Sequence, residues 1–300
     1  MELPKSAAIA TKLVWINETG STNSDLLSAA VTGGAANWPD FSVYVTGFQN
    51  AGRGRSGRQW LAPSGSSLFV SVLVRRNEVP IENLGWLPLL AGLAMSRAVK
   101  DRLLDPWGTT SGRAGITGTP GDEPVSAEAL VKAQAIGVKW PNDVLVGEQK
   151  ISGVLSELLP DLSGVVVGAG LNLTLTREQL PVETATSLAL IGDETAEAQA
   201  GGAIDSETLD DVLSRYLLAL RDLLSDFTAY AGDAALAGLQ AQVSRGCITL
   251  GQQVRAILPG DQELWGTARS IDNQGRLVIE TAAGEFVPIS AGDIVHLRHS

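Results

Sequence analysis

Seven residues, Gly52-Arg53-Gly54-Arg55-Ser56-Gly57-Arg58, hold three arginines and three glycines in a chain whose net charge is −11. The run is flanked by strand-like segments. Ser42–Phe48 alternates β-branched and aromatic residues, and Ser67–Val74 repeats that texture after the turn residues Ala62-Pro63-Ser64-Gly65. The arginines are therefore placed on a loop between two strands. The spacing Gly52-x-Gly54-x-x-Gly57 copies the letters of a dinucleotide fingerprint, but that device needs a helix to begin at the loop so that its N-terminus meets the pyrophosphate. Trp60 leads into a turn and another strand instead, which excludes a Rossmann fold. Glycines let a backbone approach an anion closely or take positive φ, and guanidinium groups give planar, permanently charged donors. Concentrated cation on an acidic protein points to a local anion, phosphate or carboxylate. A solvated charged turn and an RGG-like nucleic-acid segment are the other uses of such a run. The latter is disfavoured because the run is unrepeated and has no basic surroundings.

Composition excludes several classes. Twenty-two basic against 33 acidic residues oppose general binding to nucleic acid or an anionic membrane surface. Cys247 is the only cysteine, so no intramolecular disulfide forms and a cytoplasmic location is expected. No apolar run approaches the ~20 residues of a membrane span, and Met1–Val14 does not read as a signal peptide. The only histidines, His296 and His299, lie at the C-terminal end, so a catalytic triad, a Cys-His dyad or a histidine-rich zinc site would have to borrow from a tail. Chemistry is left to Lys, Arg, Asp, Asn and backbone groups.

Further segments carry chemically useful residues. In Lys139-Trp140-Pro141-Asn142-Asp143, Pro141 interrupts the strand pattern where Asn142 and Asp143 project. An Asn-Asp pair serves equally as a turn or as hard oxygen ligands for Mg²⁺ beside substrate phosphates. Lys150 enters the run Lys150-Ile151-Ser152-Gly153, and Gly168-Ala169-Gly170-Leu171-Asn172 ends another apolar strand with residues small enough for a ligand to approach. Ser21, Thr22 or Asn23 can cap a helix that follows and can also bind a polar heterocycle. Helices are expected over Leu84–Leu104 and Thr208–Tyr230, and further strands over Ile136–Trp140, Val144–Val146, Gly153–Leu158 and Val165–Leu171. Short alternating runs from about Gly246 (Gln253–Ile257, Leu264–Ile271, Leu277–Glu280, Phe286–Ile289) predict a small β-barrel. Asp105–Pro124, within a span of about 105–134, reads as a flexible insertion, and about 191–205 as mobile.

In order and spacing, these segments resemble those of the biotin protein ligases over nearly the whole chain. The resemblance implies an α+β fold: a central mixed β-sheet with flanking helices, like the class II aminoacyl-tRNA synthetases, in a biotin- and ATP-binding domain at 1–245. A small SH3-like domain would follow at 246–300. It implies two steps: biotin and MgATP give biotinyl-5′-adenylate and pyrophosphate, then a lysine of a biotin carboxyl carrier domain takes the biotin. By the same resemblance Ser21, Thr22, Asn23 and Gln49 would hold biotin's ring end, with Arg53, Gly54, Arg55, Lys150, Gly153 and Gly170 completing the biotin site. Arg53, Arg55, Arg58, Trp60, Lys139, Asn142 and Asn172 would bind ATP, Trp60 near the adenine. Lys150, Arg55 and Asp143 would be catalytic, and Asp143 would hold Mg²⁺. Many relatives add an N-terminal DNA-binding domain; about twenty residues precede Ser21 here, so a ligase without DNA binding is expected. A lipoate or octanoyl ligase and a non-catalytic biotin sensor are the remaining alternatives.

Overall fold

A computed structural model describes residues 1–75, 78–105, 125–192, 200–260 and 262–297. Its centre is a seven-stranded mixed sheet formed by β1 (Lys12–Trp15), β2 (Ser42–Thr46), β3 (Ser67–Arg75), β4 (Ile136–Lys139), β5 (Asp143–Val146), β6 (Gln149–Leu158) and β7 (Gly164–Asn172). The spatial order is β1-β2-β3-β7-β6-β5-β4, in which β1 and β2 are parallel and every other pair is antiparallel.

The sheet's two faces differ in kind. One presents Val43, Val45, Val70, Val72, Val154, Val167 and Ala169, all buried in the main core. Against this face lie α3 (Leu87–Leu104) and, behind it, α6 (Ser206–Ala229). The period of Leu209, Val212, Leu213, Tyr216, Leu217, Leu220, Leu223, Leu224 and Phe227 in α6 explains the match to its predicted helix, since this stripe is wholly buried. The opposite face is covered at one end by α2 (Thr22–Asn37), whose Leu26 and Ala30 pack with Leu73 and Val166. Among the described residues no helix covers the rest of that face, which is the floor of the cavity described below.

Five C-terminal strands, β8 (Gln253–Ile257), β9 (Glu263–Ile271), β10 (Leu277–Glu280), β11 (Phe286–Ile289) and β12 (Asp293–His296), form an antiparallel sheet in the order β11-β10-β9-β8-β12. Its inner residues Val254, Ala256, Ala268 and Ile279 belong to the same hydrophobic cluster as the large sheet. Two tryptophans fasten its β9–β10 turn to the larger part: Trp86 Nε1 donates to Asn273 O (2.8 Å) and Trp140 Nε1 to Gly275 O (3.0 Å).

The span 105–134 is not uniform. Residues 106–124 lie outside the described residues, but Ala127–Gln134 forms helix α4, capped by Ser126 Oγ accepting from Ala129 N at 3.1 Å. Of the segment expected to be mobile, 193–199 also lies outside. On either side, α5 (Leu188–Ile191) is buried and Ile204 N donates to Gly65 O at 3.0 Å. Strands β1 and β12 and helix α7 (Leu239–Gly246) were not foreseen. Among the described residues no helix is long and apolar enough to cross a membrane.

Candidate functional site

The floor is set by strand register. Phe69, Gly170, Gly153 and Asp143 stand in one row across β3, β7, β6 and β5, and Ser71, Gly168 and Leu155 in the next. Glycine is required where another group takes the volume of a side chain. A Cβ at Gly168 would fall 2.0 Å from Asn23 Oδ1, and one at Gly153 would fall 2.8 Å from Trp60 Cζ3. Gly170 lies beneath the same indole, its Cβ position 3.0 Å from Trp60 Cε2. A ligand resting on Gly153 and Gly170 therefore displaces Trp60 or slides beneath it.

Above the floor is a cavity of about 450 Å³. Its lining brings together residues far apart in sequence: Ser21, Thr22, Asn23 and Gln49 at one end; Arg53, Gly54, Arg55, Arg58 and Trp60 over the top; Lys139, Asn142, Asp143 and Lys150 at the other end; and Gly153 and Gly170 beneath. Every residue that the resemblance assigns to biotin, ATP or catalysis is in that lining except Asn172. Its buried side chain instead donates from Nδ2 to Thr186 O at 2.9 Å, tying the end of β7 to the segment before α5.

The polar end is a chain of hydrogen bonds. Ser21 is the N-cap of α2, and Gln49 Oε1 accepts from Thr22 N (2.7 Å) and Thr22 Oγ1 (3.0 Å). Ser71 Oγ lies 2.8 Å from Thr22 Oγ1 and donates to Asn23 Oδ1 at 2.6 Å. Asn23 Nδ2 donates to Leu155 O (3.0 Å) and Glu157 Oε2 (2.8 Å). Ser71 and Glu157 were not singled out from the sequence. A lone polar residue in a strand reads as solvent-facing until its neighbours are known.

The arginine loop folds back on itself: Trp60 N donates to Gly52 O (2.9 Å) and Gly54 N to Arg58 O (2.7 Å). Of its glycines, Gly57 alone takes positive φ, at 73°. Gly52 answers a different need, because a Cβ there would fall 2.4 Å from Trp60 O. Each arginine already has a partner. Arg53 Nη2 pairs with both oxygens of Glu157 (2.9 and 3.0 Å) and with Ser24 Oγ (2.8 Å). Arg55 Nη1 donates to Asn142 Oδ1 at 3.2 Å, and Arg58 pairs with Asp293 of β12. Burial pulls the pKa of Arg55 below its ordinary value.

The other cations stand on the hairpin of β4, β5 and β6. Lys139 and Asp143 are register partners flanking a loop that contains a cis Trp140–Pro141 bond. Lys150 Nζ meets Asp143 Oδ1 at 2.7 Å and lies 5.2 Å from the Trp60 ring centroid. Burial lowers the pKa of Lys139; Asp143 opposes that shift and the neighbouring Lys150 adds to it. Asn142 is fixed by donating to Val154 O at 2.6 Å. For a metal, this chain offers one cavity carboxylate among the expected residues, Asp143. No group of three or more His, Cys, Asp or Glu side chains gathers into a metal site among the described residues. That donor set fits an ion arriving on phosphates and keeping its waters, as Mg²⁺ does, and does not fit a protein-made cage.

Two family models match the chain: the biotin/lipoate A/B protein ligase family over residues 32–172, and the biotin protein ligase C-terminal domain over residues 249–297. The chain is 35% identical to the biotin–[acetyl-CoA-carboxylase] ligase of Mycobacterium tuberculosis, across 94% of this chain and 88% of that protein. It is 28% identical to the bifunctional ligase/repressor BirA of Escherichia coli, over 83% of this chain but only 64% of that protein. In structure it is similar to a biotin protein ligase from Aquifex aeolicus solved in complex with biotin and ATP. That match has a TM-score of 0.64 and 26% identity, covering 96% of this chain and 100% of the other.

Proposed function

Because this chain belongs to the biotin protein ligase family, we propose that it condenses biotin with MgATP to biotinyl-5′-adenylate and passes the biotin to a lysine of a biotin carboxyl carrier domain. The observation that carries this reading is the position of Lys150. Its ammonium stands at the head of a glycine floor, held by Asp143, with Lys139 beside it and the arginine loop overhead. Joining a carboxylate to a phosphate brings two anions together, and a row of cations at that point offsets their repulsion.

On this reading biotin's ring end lies toward Ser21, Thr22, Asn23 and Gln49, and its carboxylate reaches Lys150. The carboxylate oxygen attacks the α-phosphorus, and the bond to the bridging oxygen of pyrophosphate breaks. Arg55 holds the phosphate that remains, while Arg58 and Lys139 take the leaving pyrophosphate. The metal enters as part of MgATP, with Asp143 as its contact on the protein. In the second step the carrier's lysine amine attacks the acyl carbon, AMP leaves with the electron pair, and the amine loses a proton. Asp143 guides that amine once ligands have drawn Lys150 away from it. Catalysis in both steps is chiefly orientation and charge stabilisation, and the loop keeps water from an acyl-adenylate it would hydrolyse. Residues 1–245 bind and join the substrates, and residues 246–300 close the site with Asp293.

The test is to incubate the protein with MgATP, a biotin carboxyl carrier domain and either biotin or lipoate, and to weigh the carrier. One biotin on one lysine is expected. Modification by lipoate alone would transfer the chain to the lipoate ligases, and no modification with either would contradict the assignment.

A further inference from the structure

Glu157 has no part in the reaction as described above, yet it joins the two halves of the site. It belongs to the next row along the sheet, Leu73–Val166–Glu157, beyond the glycines and beside α2. Its carboxylate receives Asn23 Nδ2 at 2.8 Å from the first turn of α2 and Arg53 Nη2 at 2.9 and 3.0 Å from the arginine loop. Both amide hydrogens of Asn23 are thereby used, one on Glu157 and one on Leu155 O, while its Oδ1 accepts from Ser71. The orientation of that amide is fixed by its partners, because only a donor satisfies a carboxylate. Arg53, for its part, is held by Glu157 and Ser24, beside the first turn of α2. It is an anchor for the loop, not a free cation.

We propose that Glu157 is a positioning residue that couples closure of the arginine loop to assembly of the ring-end hydrogen bonds. This rests on the proposed biotin-adenylating function. One carboxylate holds Arg53 over the cavity and sets Asn23, which sets Ser71 and, beside it, Thr22 and Gln49. Ordering either end therefore favours the other. A ligand that engages Thr22 and Gln49 steadies Arg53 through Asn23 and Glu157, with no contact to the loop's arginines.

Two variants separate the two bonds. Glu157→Gln keeps a carbonyl acceptor for Asn23 but removes the charge that holds Arg53, whereas Glu157→Ala removes both. In the ligand-free protein, Glu157→Gln should speed amide hydrogen exchange at residues 52–60 only, and Glu157→Ala at residues 52–60 and 22–26 together. With biotin and MgATP, Glu157→Gln should release the adenylate about three- to tenfold faster, a range that discounts a charged hydrogen bond for the partial exposure of Arg53. KM for ATP should hold. Glu157→Ala should add a rise in KM for biotin. Arg53→Ala should match Glu157→Gln, and the double variant should be no worse than either single one. Unchanged loop exchange, additive effects in the double variant, or a uniform fall of every constant with melting temperature would each overturn the proposal. The exchange arm needs no ligand, so it judges the coupling even if the wild-type protein fails to adenylate biotin.

Discussion

Gly153, Gly168 and Gly170 sit inside a paired sheet, whereas Gly52, Gly54 and Gly57 sit in a loop whose backbone is held by a few hydrogen bonds and whose arginines reach outward for partners. The same residue type does different work in the two places. In the floor, glycine removes side-chain volume so that Asn23, Trp60 and a ligand can lie directly on the strands, and the core on the far face holds those strands in place. In the loop, glycine permits one left-handed residue and one close backbone crossing, and the loop lies over the cavity instead of over the core. The floor is therefore prepared before any ligand arrives. The loop is kept in place by carboxylates and amides (Glu157, Asn142, Asp293), and in the proposed reaction phosphate takes their place at Arg55 and Arg58.

Variants of the two regions should fail differently. Lys150→Ala carries the largest expected effect. It removes the cation at the joining point and leaves Asp143 unpaired, so adenylate formation should fall by roughly 10²–10³, the range seen on deleting one stabilising group at a developing charge. Single-turnover assays with biotin and MgATP would measure this, and near-normal rates would detach Lys150 from the chemistry. Gly168→Ala comes next. A Cβ 2.0 Å from Asn23 Oδ1 must push that side chain off its network, with a stability cost of about 1–3 kcal/mol for overpacking. Thermal melting and biotin titration should both register it, and a variant with unchanged melting and affinity would show the floor to be softer than described.

Arg55→Ala should leave the melting temperature nearly untouched and speed adenylate release about tenfold, as expected for one charged hydrogen bond. If instead it unfolds the protein, the loop is structural and the contrast with the floor is wrong. The smallest effect concerns Lys139. Burial lowers its pKa, so it sheds its proton at lower pH than an ordinary lysine. The rate at low ATP should then fall on the alkaline side as that charge is lost. Lys139→Arg, which stays charged, should move the fall to higher pH. An alkaline limb identical in both proteins would remove Lys139 from phosphate binding.

The legibility of these regions in sequence follows from the range of their interactions. The loop and the Lys139–Asp143 hairpin were readable because glycine, arginine and proline carry their reasons locally. The strands of the floor were readable from their apolar runs, since both faces of β3 and β7 are buried. What was missed depends on contacts between distant segments. Glu157 lies 134 positions from Asn23 and 104 from Arg53, so in sequence it is one more acid near a strand end. Ser71 looks like the polar half of an alternation. Strand β1 is a four-residue edge, half-buried throughout, and β12 is equally short, so neither shows a period long enough to read. Asp293 inherited its obscurity from β12. Asn172 ends β7 as its apolar run implied, but the bond from its Nδ2 to Thr186 O joins segments whose pairing the sequence does not show.

The most direct test of the account is isotope exchange between pyrophosphate and ATP in the purified wild-type protein, with Mg²⁺ and with biotin, lipoate or no acid added. Exchange that depends on biotin is predicted, because a carboxylate must reach the α-phosphorus beside Lys150 before pyrophosphate can leave. Exchange that ignores biotin, or none at all in a protein that binds biotin tightly, would contradict it.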